Sequence, residues 1–515
     1  MFSFFRRKPK VVIRHRAEHP ISRKNISREA LKVLYRLSDA GYKAYLVGGG
    51  VRDLLLGRTP KDFDVGTDAS PREIKRLFPR CFLIGRRFRL AHVVFGKTII
   101  ETSTFRGQPP PAEEAEESGI GELYQDDDNT FGTPEEDARR RDFTINGLFY
   151  DIKTFDVIDY VGGLADLEAH VLRAIGDPDI RFQEDPVRMM RAIRLSAKLG
   201  MEIERKTYKA ICRQYREIEK ASTPRVFEEI CRLFSFSAAE KSFRLMWRTR
   251  LLTILTPSLC EFIDTHGGED CDVWKYLREF DRITKGWGEE ASNGLRFAAL
   301  YMAPYLAALK AQPGRYSQSA ASVLHVVNER YRMSKAIHIH TTHILGRLSF
   351  FEKGASRGRF KLRPGNAEFK DTITLARIRA AADGLPTGPI EAAVREANAR
   401  EAALAAHAQA TATATPAKAA NDANGVKAAN NVNGVNGANG VSGANGVNGA
   451  NGVSGVNGAN GANDVSGATG VNDANDATGP DPAAQGQPQR RRRRRHYRPR
   501  RGRSDEAASP AREGD

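Results

Sequence analysis

The regular patterning of the chain begins with a helix. Across residues 26–40, Ala30, Leu31, Leu34 and Leu37 recur at helical spacing, with Ser27 placed to cap the first turn and Gly41 to end the last. An apolar strand, AYLV at 44–47, comes next. It leads into the glycine turn Gly48-Gly49-Gly50, a short helix opening at Val51, and a second strand expected to carry Asp62 and Asp64. The helix after Ser70-Pro71, apolar at Ile74, Leu77 and Phe78, needs only a packing role. CFLIGRRFRLAHVVFGKTIIETSTFRG then reads as a strand, a basic turn and a hairpin about Gly96-Lys97. A short strand at 157–160 and Gly162-Gly163 close this α/β section, and beyond 171–176 the pattern is helical.

Helices are expected through 207–236, interrupted at Thr223-Pro224, and again around 243–255, 274–280 and 295–309. From about Ala402 order should fail. An alanine-rich tract gives way to a triplet repeat with Gly at every third position from Gly434 to Gly461. That period matches collagen, but the repeat lacks proline and therefore the polyproline stiffness a triple helix uses, so a flexible linker is the reading.

Charge narrows the class. The 515 residues carry a formal charge of +17 with a pI near 9.7, which suits a polyanionic partner, either nucleic acid or an acidic membrane surface. No apolar run approaches a membrane span, and MFSFFRRKPKVVIRHR has no apolar core before a small-residue cleavage site. The expectation is a soluble cytoplasmic protein with no membrane partner. Five widely spaced cysteines without a C-x-x-C are expected to be reduced and mostly buried. Residues 107–137 hold eleven carboxylates and three consecutive prolines, a flexible surface insertion whose Asp126-Asp127-Asp128 run reads as solvated acid and not a metal site. His338, His340 and His343 suit a partly buried helix better than a metal site. Lys353 to Arg363, basic with Phe351 and Phe360 interleaved, reads as an RNA-contact arm. Residues 490–515 hold eleven Arg against four acids.

The candidate chemistry centres on the glycine turn. Without Cβ atoms that turn lets backbone N–H groups approach phosphate oxygens. Asp62 and Asp64, alternate residues of a strand, would lie side by side, as two cations bridging a triphosphate require, although the same spacing is common in turns and solvated edges. Glu101 shares a face with Ile99 and Ser103, which makes it a cleft-facing or buried carboxylate or one member of a surface salt bridge. In DARRRDFTINGLFYD, Arg140 and Arg141 offer donors to a triphosphate and ribose hydroxyls, Asp142 a further carboxylate and Asn146 a neutral contact. Asp185, just ahead of Pro186, and Arg188 three residues on can project from one side, or can be a cap with a neighbouring salt bridge. A carboxylate only accepts and a guanidinium only donates, so the pair matches the donor–acceptor order of adenine and cytosine and opposes that of guanine and uracil.

GGGVRD followed by DFD, then IIETSTFR, RRDFTIN and EDPVR, resembles the class II nucleotidyltransferase family that contains bacterial poly(A) polymerases and CCA-adding tRNA nucleotidyltransferases. The resemblance extends to about residue 235. It implies an α/β nucleotidyltransferase head with a mixed β-sheet and helices, followed by an all-α neck and body and a disordered C-terminal tail. It also implies template-independent addition of AMP from ATP to RNA 3′ ends, with Mg2+ as cofactor. Asp62 and Asp64 would be primary metal ligands, Glu101 the third, and Asp142 an alternative catalytic carboxylate; Gly48, Gly49, Arg52, Arg140, Arg141, Asn146, Asp185 and Arg188 would hold the nucleotide. GRRFRLAHV at 85–93 resembles the stretch separating poly(A) polymerases from CCA-adding relatives, or is a solvated basic loop. A CCA-adding enzyme is the second reading and an RNA-binding protein with an inactive head the third. The expected partners are ATP and the RNA 3′ ends of mRNA and other transcripts; whether an RNA chaperone or degradation machinery cooperates is left open.

The division expected from the sequence is a basic arm (1–25), a catalytic head (26–165) with the insertion at 107–137, and a neck that reads nucleotide and RNA (166–235). A helical body (236–345), a basic arm (346–401), a low-complexity linker (402–489) and an Arg-rich RNA-binding tail (490–515) complete it. Deleting residues 490–515 should weaken RNA binding and flatten its salt dependence. With about six of these arginines on phosphates, the slope of log affinity against log salt, measured by titration with a labelled oligonucleotide, should fall by roughly 4.

Overall fold

The strands of the head are β1 (Val12–Arg14), β2 (Ala44–Val47), β3 (Asp64–Thr67), β4 (Cys81–Ile84), β5 (Leu90–Phe95), β6 (Thr98–Thr104), β7 (Leu148–Asp151) and β8 (Val157–Asp159). In this computed structural model they form one mixed sheet in the order β1-β8-β7-β2-β3-β6-β5-β4. The described residues are 10–85, 90–107, 131–287, 291–331, 333–352 and 364–413. The chain divides into two compact units, Met1–Ala423 and Asn424–Asp515, and all the described residues lie in the first.

One face of the sheet is buried beneath helices α1 (Arg28–Asp39) and α3 (Pro71–Leu77). Leu46, Val65, Ala91, Val93 and Ile100 meet Val33, Leu34, Leu37 and Ile74 there. Both helices are capped as their sequences direct: Ser27 accepts from the Ala30 N–H, and Ser70 with Glu73 forms a capping box. The other face is covered over β2 and β7, where Val47 and Phe149 pack with Phe105 and with Ala138 of α4 (Pro134–Arg140). Gly66 in β3 belongs to this packing, since a Cβ there would lie 2.7 Å from Phe105 Cε1.

The structure departs from the sequence reading in several places. The arm expected at 1–25 is docked from Val12 onward. β1 pairs antiparallel with β8, and buried His19 bonds through Nε2 to the Phe155 carbonyl at 2.8 Å. A three-residue edge strand is too short to show alternation. β3 begins at Asp64 and not before Asp62, because its partner β2 ends at Val47, opposite Asp64, where the chain turns away at Gly48. The helix after the turn, α2 (Gly49–Leu55), starts two residues ahead of Val51.

Behind the head come α5 (Gly163–Glu168), α6 (Pro178–Glu184), α7 (Val187–Leu199), α8 (Arg205–Gln214) and α9 (Thr223–Arg232), with β9 (Val171–Leu172) and β10 (Glu202–Ile203) forming a small parallel pair. The body continues as α10 (Ala239–Arg248), α11 (Leu251–Leu255), α12 (Pro257–Thr265), α13 (Asp272–Ile283), α14 (Asn293–Leu300), α15 (Met302–Ala311), α16 (Tyr316–Tyr331), α17 (Lys335–Arg347), α18 (Ser349–Glu352), α19 (Ala367–Asp383) and α20 (Gly388–Thr413). In place of a basic arm over 346–401, α19 buries Phe369, Ile373, Leu375 and Ile378 in the helical core. His340 Nε2 and His343 Nδ1 of α17 meet Asp371 Oδ2 and Glu368 Oε1 of α19 at 2.8 and 3.1 Å, contacts that join the two helices. Helix α20 runs past Ala402 to Thr413, in keeping with the strong helix propensity of alanine. The cysteines are free, and four of the five are buried. Lys353 to Arg363, the acidic run Asp126-Asp127-Asp128, most of the insertion, the repeat and the Arg-rich tail lie outside the described residues.

A chain of buried polar side chains fixes the neck to the head. Arg52 of α2 donates from Nε to Asp53 Oδ1 at 2.8 Å and from Nη1 to Asn146 Oδ1 at 2.6 Å. Asn146 passes the connection on, donating from Nδ2 to Asp142 Oδ1 at 3.0 Å. Asp142 Oδ2 accepts twice from Arg191 of α7, at 2.9 and 2.6 Å. Reversing the Asn146 amide would set N–H against guanidinium and oxygen against carboxylate, so its partners dictate its orientation. Burial alone would raise the Asp142 pKa, but the Arg191 guanidinium, the Asn146 amide and the Phe143 N–H outweigh it and hold the group at about 2.

Arg191→Met should therefore destabilise the fold by about 2 kcal/mol, less than for a fully buried pair because Arg191 keeps 34% of its side chain in water. Chemical denaturation measures this, and adding Asp142→Asn should recover part of the loss. Because the Asp142 pKa is depressed on folding, the stabilisation is complete above about pH 4, the ordinary carboxyl range, and is lost as pH falls toward 2.

Candidate active site

The glycine turn creates the floor of the site. Gly48 sits at φ +73°, and a Cβ on it would come within 2.8 Å of Arg141 Nη1, so the position demands glycine for both its backbone and its neighbour. Arg141 is held over the turn by two bonds to Asp137 Oδ2, at 3.1 and 2.9 Å, while its guanidinium carbon lies 5.4 Å from the centre of the Phe149 ring.

A cavity of about 470 Å³ opens above this floor. On the head side it is lined by Gly48, Gly49, Arg52, Asp64, Arg141, Asp142 and Asn146; on the neck side by Asp185, Arg188, Arg191, Arg194, Leu195, Lys198 and Arg225. Of the residues expected to hold a nucleotide, only Arg140 is missing from this lining. Its Nη1 instead donates to the Gly107 carbonyl at 2.5 Å. Arg52 and Asn146 line the cavity but act inside the polar chain, which leaves the Asn146 amide committed on both sides. Asp142 lines it too, with its carboxylate occupied by Arg191, Asn146 and the Phe143 N–H, as suits a positioning group more than a third metal ligand.

Asp185 and Arg188 do reach the same cavity. Asp185 Oδ1 accepts from the Val187 N–H at 3.3 Å, and Oδ2 is gripped by Arg225 of α9 at 2.9 Å. Arg188 Nη1 donates to the Arg181 carbonyl at 3.1 Å and to Glu184 Oε2 at 3.0 Å. The cap of the following helix is Pro186 and not Asp185, and Asp185 and Arg188 pair with Arg225 and Glu184 and not with each other, while both still line the cavity. Sequence reasoning missed Arg191, Arg194, Lys198 and Arg225. The signal for the first three was present in RMMRAIRLSAK, where basic residues recur every three or four positions along one face of a helix.

A second cavity, of about 280 Å³, continues past Arg52. It shares Gly49, Arg52, Asp64, Arg194 and Lys198 with the first and adds Lys61, Asp62, Arg232 and Phe236. Asp64 therefore stands where the two meet. Glu101 lies level with it on the neighbouring strand, because β3 and β6 run parallel with Val65 opposite Thr102. Its side chain is 53% exposed and so is not buried, and its nearest charged-type neighbour across the strand is His92, with Nε2 3.8 Å from Oε1, the surface contact of the alternative reading.

Burial pushes the Asp64 carboxyl up to about 6, and repulsion from Glu101 and Asp62 adds to the shift while Arg141 opposes it. Among the described residues no group of three or more His, Cys, Asp or Glu stands already drawn together as a metal site. The negative charge that Glu101 and Asp62 place around Asp64 is of the kind a divalent cation would neutralise.

Two segments match known families: residues 44–173 the poly A polymerase head domain, and residues 200–263 the region described as "Probable RNA and SrmB- binding site of polymerase A". The chain is 44% identical over 309 residues to poly(A) polymerase I of Escherichia coli O6:H1, an alignment covering 58% of this chain and 65% of that one. Against poly(A) polymerase I of Haemophilus influenzae it is 44% identical over 250 residues, covering 48% and 55%. A CCA-adding enzyme of Lactobacillus helveticus is 39% identical over 224 residues, covering 43% and 54%. The chain thus spans under two thirds of the length of these relatives. The crystal structure of the Bacillus stearothermophilus CCA-adding enzyme in complex with CTP superposes with a TM-score of 0.52 at 26% identity, covering 72% of this chain and 82% of that one. By its head sheet, its glycine turn and the helices behind them, the chain is similar to the nucleotidyltransferase family of poly(A) polymerases and CCA-adding enzymes, whose head domain it matches over residues 44–173 and whose RNA-binding region it matches over 200–263.

Proposed function

We propose that the protein is a template-independent polynucleotide adenylyltransferase that adds AMP from ATP to RNA 3′ ends in the cytoplasm. The observation that carries this reading is the continuous trench, with Asp185 and Arg188 at one end, the glycine turn with Asp62 and Asp64 at the middle, Glu101 level with Asp64 on the neighbouring strand, and cationic residues beyond. A nucleoside triphosphate laid along it would have its base at Asp185 and Arg188, its ribose beneath Arg141, its α-phosphate over Gly48 and Asp64, and its outer phosphates beside Lys61, Arg194 and Lys198, all of which line the two cavities. Asp62, Asp64 and Glu101 would hold Mg2+, which supplies activation of the attacking hydroxyl and neutralisation of the leaving pyrophosphate. The RNA 3′-hydroxyl oxygen bonds to the α-phosphorus, the α–β bridging bond breaks, and the hydroxyl proton passes to solvent. Arg141, Arg194 and Lys198 face the charge that develops on the departing phosphates.

Identity of 44% to poly(A) polymerases against 39% to a CCA-adding enzyme supports adenylate addition. CCA addition remains the second reading for one specific reason: Asp185 and Arg188 present the same hydrogen-bond order to cytosine as to adenine. The activity, its RNA substrates and any partner chains are proposals of the same standing. Among the described residues no helix is long and apolar enough to cross a membrane.

The test is incubation of the purified chain with each NTP separately, once with an unstructured RNA and once with a tRNA lacking its 3′ end. Long tails from ATP alone on the unstructured RNA are expected, with GTP and UTP excluded; short additions that require both CTP and ATP on the tRNA would favour the second reading. Asp64→Asn should lower incorporation by several orders of magnitude while leaving the melting temperature equal or higher, because it removes a buried carboxylate that its neighbours repel. Retention of more than a tenth of wild-type incorporation would exclude the metal role.

A further inference from the structure

The head covers one face of its sheet with α1 and α3 and the other only over β2 and β7. Over β2 and β7 the second face lies under Phe105 and α4. Over β4, β5 and β6 no helix among the described residues packs on it, and it carries Phe82 at 62% exposure, Ile84 at 49% and Ile99 at 52%. Strand register puts these on one face with Glu101: Phe82 lies opposite His92, His92 opposite Glu101, and Val94 opposite Ile99. An apolar patch of this kind marks a surface that something else covers.

Its place in the reaction says what. This step rests on the transferase reading above. In-line displacement requires the attacking oxygen and the leaving pyrophosphate to lie on opposite sides of the α-phosphorus. The trench holds the base on one side and the outer phosphates on the other, and Glu101 lines neither of its two cavities. The third carboxylate looks out of the trench onto this face of the sheet, so the acceptor 3′-hydroxyl arrives from that face. We propose that Phe82, Ile84 and Ile99 form a stacking platform for the last bases of the acceptor RNA, which aligns its 3′-hydroxyl with Glu101 and Asp64. A sheet face with exposed aromatic and aliphatic side chains is a recurrent solution for single-stranded RNA, and it tolerates any sequence because every base has a π-face. That tolerance suits an enzyme whose acceptors differ until the growing tail makes them alike.

The experiment compares wild type with Phe82→Ala/Ile99→Ala, and with Phe82→Trp, in steady-state kinetics on a short oligo(A) acceptor. The double variant should raise the KM for RNA roughly tenfold with the KM for ATP unchanged, and Phe82→Trp should keep the wild-type value. Because these side chains are exposed, circular dichroism melts should coincide. An unchanged KM for RNA, or a parallel rise in the KM for ATP, overturns the platform. β4 is the edge of the sheet, so light scattering is measured alongside. A wild-type dimer that the double variant converts to monomer would make the face an interface between copies and overturn the proposal too. Should the wild type transfer no nucleotide at all, the transferase reading fails on its own account. The platform is then judged by fluorescence anisotropy of labelled oligo(A), where equal binding by wild type and double variant overturns it and a roughly tenfold loss supports it.

Discussion

The site depends on the polar chain Asp53–Arg52–Asn146–Asp142–Arg191. It begins on the helix that follows the glycine turn, crosses the head through the turn at Thr144–Asn146 and ends on the neck helix Val187–Leu199. Every interior member has its charge or amide answered by the next, which is the condition on which buried polar groups are tolerated. The consequence is geometric. The glycine turn belongs to the head and Asp185 and Arg188 to the neck, so the spacing between them depends on the Asp142–Arg191 ion pair together with the bonds from Arg181 to the Arg140 and Arg141 carbonyls.

The same letter has opposite fates in this site. Asp142 is buried among donors and held at about 2, while Asp64 is buried among carboxylates and pushed to about 6. One is stabilised by the protein itself; the other is left with negative neighbours, in the state a cation would relieve. A carboxylate satisfied within the fold serves position, and one repelled within the fold is available to a ligand. By this contrast Glu101, level with Asp64 and open to solvent, is the better candidate for the third ligand.

Much of this was legible in the sequence, for identifiable reasons. The first strand of the motif, the helix capped by Ser27 and the capping box at Ser70 were legible because local chemistry and tertiary structure agree there. The edge strand Val12–Arg14 was not, since three residues carry no period and its pairing is with a strand about 145 residues away. The strand at Asp64 was read two residues too long because its true limit is set by where its neighbour ends, which is a non-local fact. Site residues divided the same way. Residue types revealed which side chains could bind phosphate, but only the fold shows that Arg140 turns away to Gly107 and that Arg225, from a helix 40 residues on, closes over Asp185.

The end of the trench proposed to select the base is built from three helices and not from the sheet. Asp185 caps the helix Pro178–Glu184, Arg188 lies in the first turn of the next, and Arg225 reaches across from the helix Thr223–Arg232. Hydrogen-bond order separates adenine and cytosine from guanine and uracil but cannot separate adenine from cytosine, which differ here in ring size and not in donors. That discrimination must come from the width of the pocket, and the tie between Arg225 and Asp185 helps set that width, since it fixes one helix against another across the base site. On the proposed reading, choice of base would therefore rest on how the neck helices pack and the chemistry on the head, with the polar chain Arg52–Asn146–Asp142–Arg191 joining the two.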